Sequence, residues 1–160
     1  MNFNPTTWKQ EATKKQKENK QFLAKSKRIK GIEKHLPDLH DEAFSKIDCL
    51  NCASCCKTIS PRFKTPDIVR IAKSLGMKQS VMIETYLRLD EDGDYVVKTS
   101  PCPFLGSDNY CSIYDVRPGD CRKYPYTDSG EFFEYVNTTY QNTTTCPAVF
   151  YVLERLKEIV

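Results

Sequence analysis

The stretch Asp48–Lys57 reads D-C-L-N-C-A-S-C-C-K and places Cys49, Cys52, Cys55 and Cys56 close together in the chain. A gap of two residues lets a tight turn bring two sulfurs to one metal ion, which zinc needs at about 2.3 Å. Cys55 and Cys56 are adjacent, and adjacent side chains diverge by about 100° on a helix or point to opposite faces of a strand. This pattern favours two nearby metal sites or one shared cluster.

Four more cysteines follow, at positions 102, 111, 121 and 146. Eight thiolates divide naturally into two tetrahedral sites of the kind that structural zinc prefers, and the same set suits iron or an iron–sulfur cluster. Such soft ligands select against magnesium and calcium. The predicted metal ligands are Cys49, Cys52, Cys55, Cys56, Cys102, Cys111, Cys121 and Cys146.

The N-terminal residues and the lack of long apolar runs predict that the chain stays in a reducing compartment. Residues 1–15 contain Lys9, Lys14 and Lys15 and no apolar segment of the kind that a secretory signal has. No apolar run reaches the ~20 residues that span a bilayer, so we expect a cytoplasmic protein with no membrane partner. In a reducing cytosol, clustered cysteines bind metal more often than they form disulfides.

The N-terminal part of the chain is basic. Residues 1–36 contain 10 Lys and Arg against 3 Asp and Glu, a charge of +7, and the remaining residues contain 14 against 18, a charge of −4. The pattern predicts a basic helix over residues 9–36 that stops near Leu36, because the residue before a proline disfavours helical geometry. We therefore divide the chain into a mostly helical basic arm, residues 1–44, and a cysteine-cluster metal-binding domain with a C-terminal helix, residues 45–160.

Within the second part, the patterns predict short helices and hairpins. The helices are expected after Thr65 as a cap with Gly76 as the end, from Ser80 to about Leu87, and from Pro147 onward with a buried stripe. The acidic turn Asp90–Asp94 precedes a strand at Tyr95–Val97, and a second, aromatic strand is expected at Phe132–Val136. The predicted fold class is α+β: a small, cysteine-rich, metal-stabilised domain with an N-terminal basic helical arm.

Several short motifs occur in a fixed order around the cysteines. After the C-x-x-C-x-x-C-C cluster come Cys102-Pro103-Phe104-Leu105, Cys111-Ser112-Ile113-Tyr114, Arg117-Pro118, Cys121-Arg122-x-Tyr124-Pro125 and the late Cys146. In these features the chain resembles the YkgJ-type cysteine-cluster family, whose members are described as zinc- or iron-chelating proteins. The resemblance covers roughly residues 45–150. It implies metal binding by these cysteines, with the apolar and proline residues of the motifs packing around the site.

Three classes of function remain open from the sequence. The first is a binding protein that holds zinc or iron for storage, for delivery to a protein partner or as a structural scaffold, and the lack of a visible acid–base pair favours it over an enzyme. The second is an iron–sulfur or iron-dependent redox or transfer enzyme, which needs an open coordination position. The third is a zinc-stabilised module that contacts nucleic acid through its basic arm. His35 and His40 are expected to be surface histidines rather than ligands, and Arg122 is the best candidate to support the thiolates.

Overall fold

The structure, a computed structural model, describes residues 3–160 and divides them into two compact units. The helical unit contains the residues up to Asp48 together with Pro125–Val160, and the cysteine unit contains Cys49–Tyr124. This division differs from the expected boundary after residue 44. The expected division into residues 1–44 and 45–160 as independently folding parts stays a prediction.

Short helices dominate both units. The α-helices of the described residues are α1 (Trp8–Lys14), α2 (Gln16–Ser26), α3 (Leu36–Phe44), α4 (Cys49–Cys52), α5 (Ser54–Thr58), α6 (Thr65–Ser74), α7 (Gln79–Tyr86), α8 (Gly119–Lys123), α9 (Glu131–Glu134), α10 (Val136–Asn142) and α11 (Pro147–Ile159). Two 3₁₀ helices cover Ile32–His35 and Tyr114–Val116, and the strands are β1 (Leu87–Leu89) and β2 (Tyr95–Val97). The mixture is consistent with the predicted α+β class. Among residues 3–160, no helix combines the length and the apolar character that a membrane crossing requires.

The core of the helical unit forms around α11, the predicted C-terminal helix. Of the predicted stripe residues, Val149, Val152, Leu153 and Leu156 are fully buried, whereas Val160 is exposed because it lies after the end of α11. Helix α11 packs against α3 and α1, and the buried residues of the N-terminal helices in this unit include Trp8, Ala12, Leu23 and Leu36. The basic N-terminal segment is therefore anchored by its apolar side chains, while many of its lysines remain exposed.

The prediction of one continuous helix over residues 9–36 is wrong. The chain interrupts the helix at Lys15 and again after Ser26, and it turns through Gly31, whose φ of +76° is a conformation that glycine adopts without steric cost. A new helix begins at Leu36 with Pro37 in its first turn. Proline is tolerated there because the first N–H groups of a helix have no partner within it, so Pro37 marks a beginning rather than an end.

The aromatic strand predicted at Phe132–Val136 is also wrong, because this segment forms α9 and the start of α10. Phe132 and Phe133 are both buried, although adjacent residues of a half-buried strand point to opposite faces. A helical turn brings both rings to the core, where they lie 5.1 Å apart in an edge-on arrangement. The hydroxyl of Thr139 donates to the Phe132 carbonyl and closes this turn against α10.

The cysteine unit has its own smaller core and contains the predicted hairpin. Helices α6 and α7 and the antiparallel pair β1–β2 are confirmed, with Leu87 opposite Val97. Gly76 follows α6 with a φ of +65°, as a helix terminator requires. Thr65 is the first residue of α6 rather than its cap, and the Asp67 carboxylate accepts the Lys64 N–H instead. The core residues are Phe63, Ile68, Ile71, Ala72, Met82, Leu87, Val97, Phe104 and Ile113.

One hydrogen bond of the helical unit gives a pH-dependent prediction. The Tyr151 hydroxyl donates to a Glu42 carboxylate oxygen over 2.5 Å, and this bond, together with the nearby Arg155 guanidinium, holds the pKa of Glu42 below its ordinary 4.5. A carboxyl with a lowered folded pKa stabilises the fold above its unfolded pKa and loses that contribution as the pH falls through the folded pKa. We expect Glu42→Gln to lower the free energy of unfolding by about 1 kcal/mol at pH 7 and by much less near pH 3.

Urea unfolding followed by the fluorescence of Trp8, the single tryptophan, measures this difference. Wild type at both pH values is the control. A loss of the same size at pH 7 and pH 3 would contradict the ionised hydrogen bond.

Candidate metal centre

The C-x-x-C-x-x-C-C cluster folds as two short helical turns, α4 and α5, that meet at Ala53. Ala53 has a left-handed backbone with a φ of +44° and is buried. The Ala53 N–H donates to the Cys49 carbonyl, and the Ala53 carbonyl accepts the Lys57 N–H. The left-handed residue therefore ends one turn and starts the next, and it changes the direction of the chain between Cys52 and Cys55.

A bulkier residue at position 53 is expected to weaken this arrangement. Ala53 already carries the cost of about 1–2 kcal/mol that left-handed backbone imposes on an L-residue, and a β-branched side chain adds further strain there. We expect Ala53→Val to lower the free energy of unfolding by about 2 kcal/mol, whereas Ala53→Gly, which adopts this conformation without strain, stays close to wild type. Chemical denaturation of the metal-loaded chain tests this, and an unchanged midpoint for Ala53→Val would contradict it.

Backbone hydrogen bonds bring Cys56, Cys102 and Cys111 into one region. The Cys102 N–H donates to the Cys56 carbonyl over 2.8 Å, so the segment that carries Cys102 runs beside α5. Residues 102–112 then fold back on themselves through an antiparallel bridge between Leu105 and Cys111. The Asn109 side chain donates to the Leu50 carbonyl over 2.7 Å and ties this turn to α4.

Cys121 lies on α8, a helix of five residues. So short a helix is marginal by itself, and its position depends on tertiary contacts. The Asp120 carboxylate accepts from the Arg62 guanidinium over 2.9 Å. The Arg122 guanidinium donates to the carbonyls of Asp115 and Arg117, and so supports the backbone that leads from Cys111 to Cys121.

The pKa values of three thiols are raised in part by neighbouring thiols, and Cys56 contributes to all three increases. Burial, together with the neighbouring Cys56, Cys102 and Cys111, raises the pKa of Cys121 to about 12. Burial also raises the pKa of Cys102 and of Cys111, and Cys56 adds to both increases. A thiol whose ionisation is opposed by neighbouring thiolates needs a cation to balance the charge. We call Cys56, Cys102, Cys111 and Cys121 the thiol cluster.

Cys56 is the member of the thiol cluster that ionises first. The adjacent Cys55 thiol hydrogen-bonds to it and lowers its pKa to about 7, against the effect of burial and with help from the Lys57 ammonium. The two adjacent cysteines therefore have unlike roles in the structure. Cys56 raises the pKa values of Cys102, Cys111 and Cys121, while Cys55 hydrogen-bonds to Cys56.

The residues of the thiol cluster fit a zinc or iron ion by their chemistry. Sulfur is a preferred ligand of both metals. Backbone N–H groups of Phe104 and Leu105 donate to the Cys102 sulfur, and that of Ile113 donates to the Cys111 sulfur, which favours the thiolate form that binds metal. Among residues 3–160, no group of three or more His, Cys, Asp or Glu side chains is placed so that it could hold a metal ion as the side chains stand. The assignment of ligands therefore rests on the increases that Cys56 causes in the pKa values of Cys102, Cys111 and Cys121, and on the backbone bonds around Cys56, Cys102 and Cys111.

Of the remaining predicted ligands, Cys55 lies beside Cys56 on α5, and the other three belong to different elements. Cys49 and Cys52 are on α4, with Cys49 exposed and Cys52 half-buried. Cys146 belongs to the helical unit, where it precedes α11 and packs against that unit's core. His40 hydrogen-bonds to Thr127 over 2.8 Å, also within the helical unit.

Two residues that the sequence analysis missed hold the segment before Cys121. Asp67 and Arg70 lie one turn apart on α6 and pair through Arg70 Nη2 and Asp67 Oδ1 over 2.8 Å. Arg70 donates to the carbonyls of Val116 and Arg117, and Asp67 accepts the Gly119 N–H. The i, i+3 spacing of opposite charges on one helix was visible in the sequence, but their partners are backbone groups, which leave no sequence signal.

Comparison with known proteins yields one family. A family model, CxxCxxCC, with the description "Putative zinc- or iron-chelating domain", matches residues 48–147, more than half of the chain. The matched range includes every cysteine. Neither the curated proteins nor the solved structures contain a significant match.

Proposed function

Since the chain belongs to the CxxCxxCC family of zinc- or iron-chelating domains, we propose that it is a metal-binding protein whose thiol cluster holds one zinc or iron ion. Cys56, Cys102, Cys111 and Cys121 are the proposed ligands. Zinc is the first choice, because four thiolates give the closed tetrahedral site that structural zinc prefers. The metal would supply the positive charge that lets the buried thiols ionise together.

The observation that supports this proposal is that Cys56 raises the pKa values of Cys102, Cys111 and Cys121, all within the cysteine unit. In the absence of a bound ion, the pKa of Cys121 is raised to about 12. Cys121 therefore stays protonated at neutral pH unless a cation compensates the charge of its thiolate. Cys56, with a pKa of about 7, would be the first thiolate to meet an incoming ion. Successive binding of the other sulfurs would then release their protons, as metal binding to thiols requires.

Cys49, Cys52, Cys55 and Cys146 stay candidate ligands from the sequence, for a second ion or for a larger cluster. The side chains of Cys55 and Cys56 leave α5 in directions about 100° apart, which supports a separate role for Cys55. Whether the metal serves storage, delivery to a protein partner, structure or redox chemistry is also part of the proposal to be tested. A cytoplasmic location is part of the proposal, because clustered cysteines that bind metal suit a reducing compartment.

Elemental analysis and an absorption spectrum of anaerobically purified protein test the proposal. A colourless protein with one or two zinc ions per chain is the expected result. A brown protein with iron and sulfide would instead favour the iron–sulfur alternative. A folded, fully reduced protein that contains no zinc or iron and takes up neither from solution would refute metal binding.

A further inference from the structure

The loop between Cys111 and Cys121 is held by side chains of α6 rather than by its own secondary structure. It contains the 3₁₀ helix Tyr114–Val116, the pair Arg117-Pro118 and then α8. Helix α8 has five residues, too few to fix its own position. The placement of Cys121 relative to Cys111 must therefore come from contacts made by other parts of the cysteine unit.

The guanidinium of Arg70 contacts two successive carbonyls of this loop. Arg70 Nε lies 3.2 Å from the Val116 oxygen, and Arg70 Nη2 lies 3.0 Å from the Arg117 oxygen. A planar guanidinium presents its donors in a fixed fork, so two bonds define an orientation as well as a distance. A lysine has no such fork and would act as a point charge.

The carboxylate of Asp67 extends this contact to the start of α8. Asp67 Oδ1 accepts the Gly119 N–H over 3.2 Å and also the Arg70 Nη2 at 2.8 Å, while Oδ2 accepts the Lys64 N–H. Asp67 is only 6% exposed, so these bonds are shielded from competing water. Together, Asp67 and Arg70 form hydrogen bonds with Val116, Arg117 and Gly119. Within residues 116–119 they do not bond to Pro118, which has no N–H to donate.

We propose that Asp67 and Arg70 are positioning residues for the metal site, which set where Cys121 lies relative to Cys111 without touching the metal. This inference rests on the proposed function of the thiol cluster. Tetrahedral coordination demands that thiolates converge at a defined distance, so a shift of α8 changes both the affinity and the geometry of the site. Residues that orient ligands in this way typically contribute 10–100-fold to metal affinity.

Cobalt(II) provides a test with a readout that fold stability alone would not move. The full chain is titrated with Co²⁺ without oxygen, and the affinity and the visible bands of the thiolate-bound ion are recorded for wild type and Arg70→Met. We expect about 10–100-fold weaker binding and altered band positions or intensities at saturation. Arg88→Met is the matched control, because Arg88 is exposed on β1 and bonds only weakly to the neighbouring Leu89 carbonyl.

Each outcome of the titration decides the inference. Affinity of Arg70→Met within about twofold of Arg88→Met, or a saturated spectrum identical to that of wild type, would overturn it. If circular dichroism shows that Arg70→Met does not fold, Arg70→Lys is judged by the same two criteria, since it keeps the charge and loses only the fork. A wild-type chain that develops no thiolate–cobalt bands would instead refute the proposed function itself.

Discussion

Removal of bound metal is expected to unfold the cysteine unit while the helical unit stays folded. Small thiolate sites contribute about 10–16 kcal/mol to the folded state, which equals or exceeds the 5–15 kcal/mol of net stability of a typical domain. The apolar core of the cysteine unit is small, and the proposed metal ion would join three of its segments: α5, the 102–112 turn and α8. The core of the helical unit forms around α11 and consists mainly of aliphatic and aromatic side chains.

Two probes separate the units. Trp8, the single tryptophan, is 8% exposed in the helical unit, so its emission should remain that of a buried indole after chelation. Amide hydrogen exchange should rise throughout Cys49–Tyr124 and change little in α3 and α11. Metal reloading is the control and should restore protection. Protected amides in the cysteine unit after metal loss has been verified by elemental analysis would contradict a metal-dependent fold.

Replacement of Cys121 by serine is expected to cost at least ~100-fold in metal affinity, because loss of a direct ligand should exceed the 10–100-fold cost of losing an orienting partner. Serine keeps the size of the side chain approximately but offers a hydroxyl, which does not ionise near neutral pH and is a poor ligand for a soft site. Competition with a coloured chelator under anaerobic conditions measures the affinity. The same change at Cys56, Cys102 or Cys111 should have an effect of similar size.

Cys146→Ser is the matched control for this prediction. It makes the same chemical change in the helical unit, outside the thiol cluster. The affinity of the thiol cluster should be unchanged in this variant, even if Cys146 binds a second ion. Equal losses for Cys121→Ser and Cys146→Ser, or no loss for either, would contradict the assignment of the four ligands.

Sequence patterns predicted the helices whose buried residues recur at regular spacing along the chain. Helix α11 was predictable because Val149, Val152 and Leu156 recur at helical spacing after a proline, and α6 because its apolar face ends at Gly76. The segment at Phe132 was not, because aromatic residues favour strands by composition while the core required two adjacent rings on one side. Tertiary packing decided between the two structures.

The candidate site was only partly visible in the sequence. The cysteines and their association with zinc or iron were evident from the C-x-x-C-x-x-C-C spacing and the later motifs. The proposed set of four ligands depends on single backbone bonds, such as that from Cys102 to the Cys56 carbonyl, and on the contacts of Asp67 and Arg70 with loop carbonyls. Such bonds use groups that every residue has, so no residue type reveals them.

The chain order of the two units has a consequence for synthesis on the ribosome. The cysteine unit is inserted between the two segments of the helical unit, whose core needs α11. Every member of the thiol cluster has been made once Cys121 is added, while Leu156 of the helical core has yet to be translated. Since domains generally fold during translation from the N-terminus onward, the nascent chain can capture its metal ion before the helical unit closes.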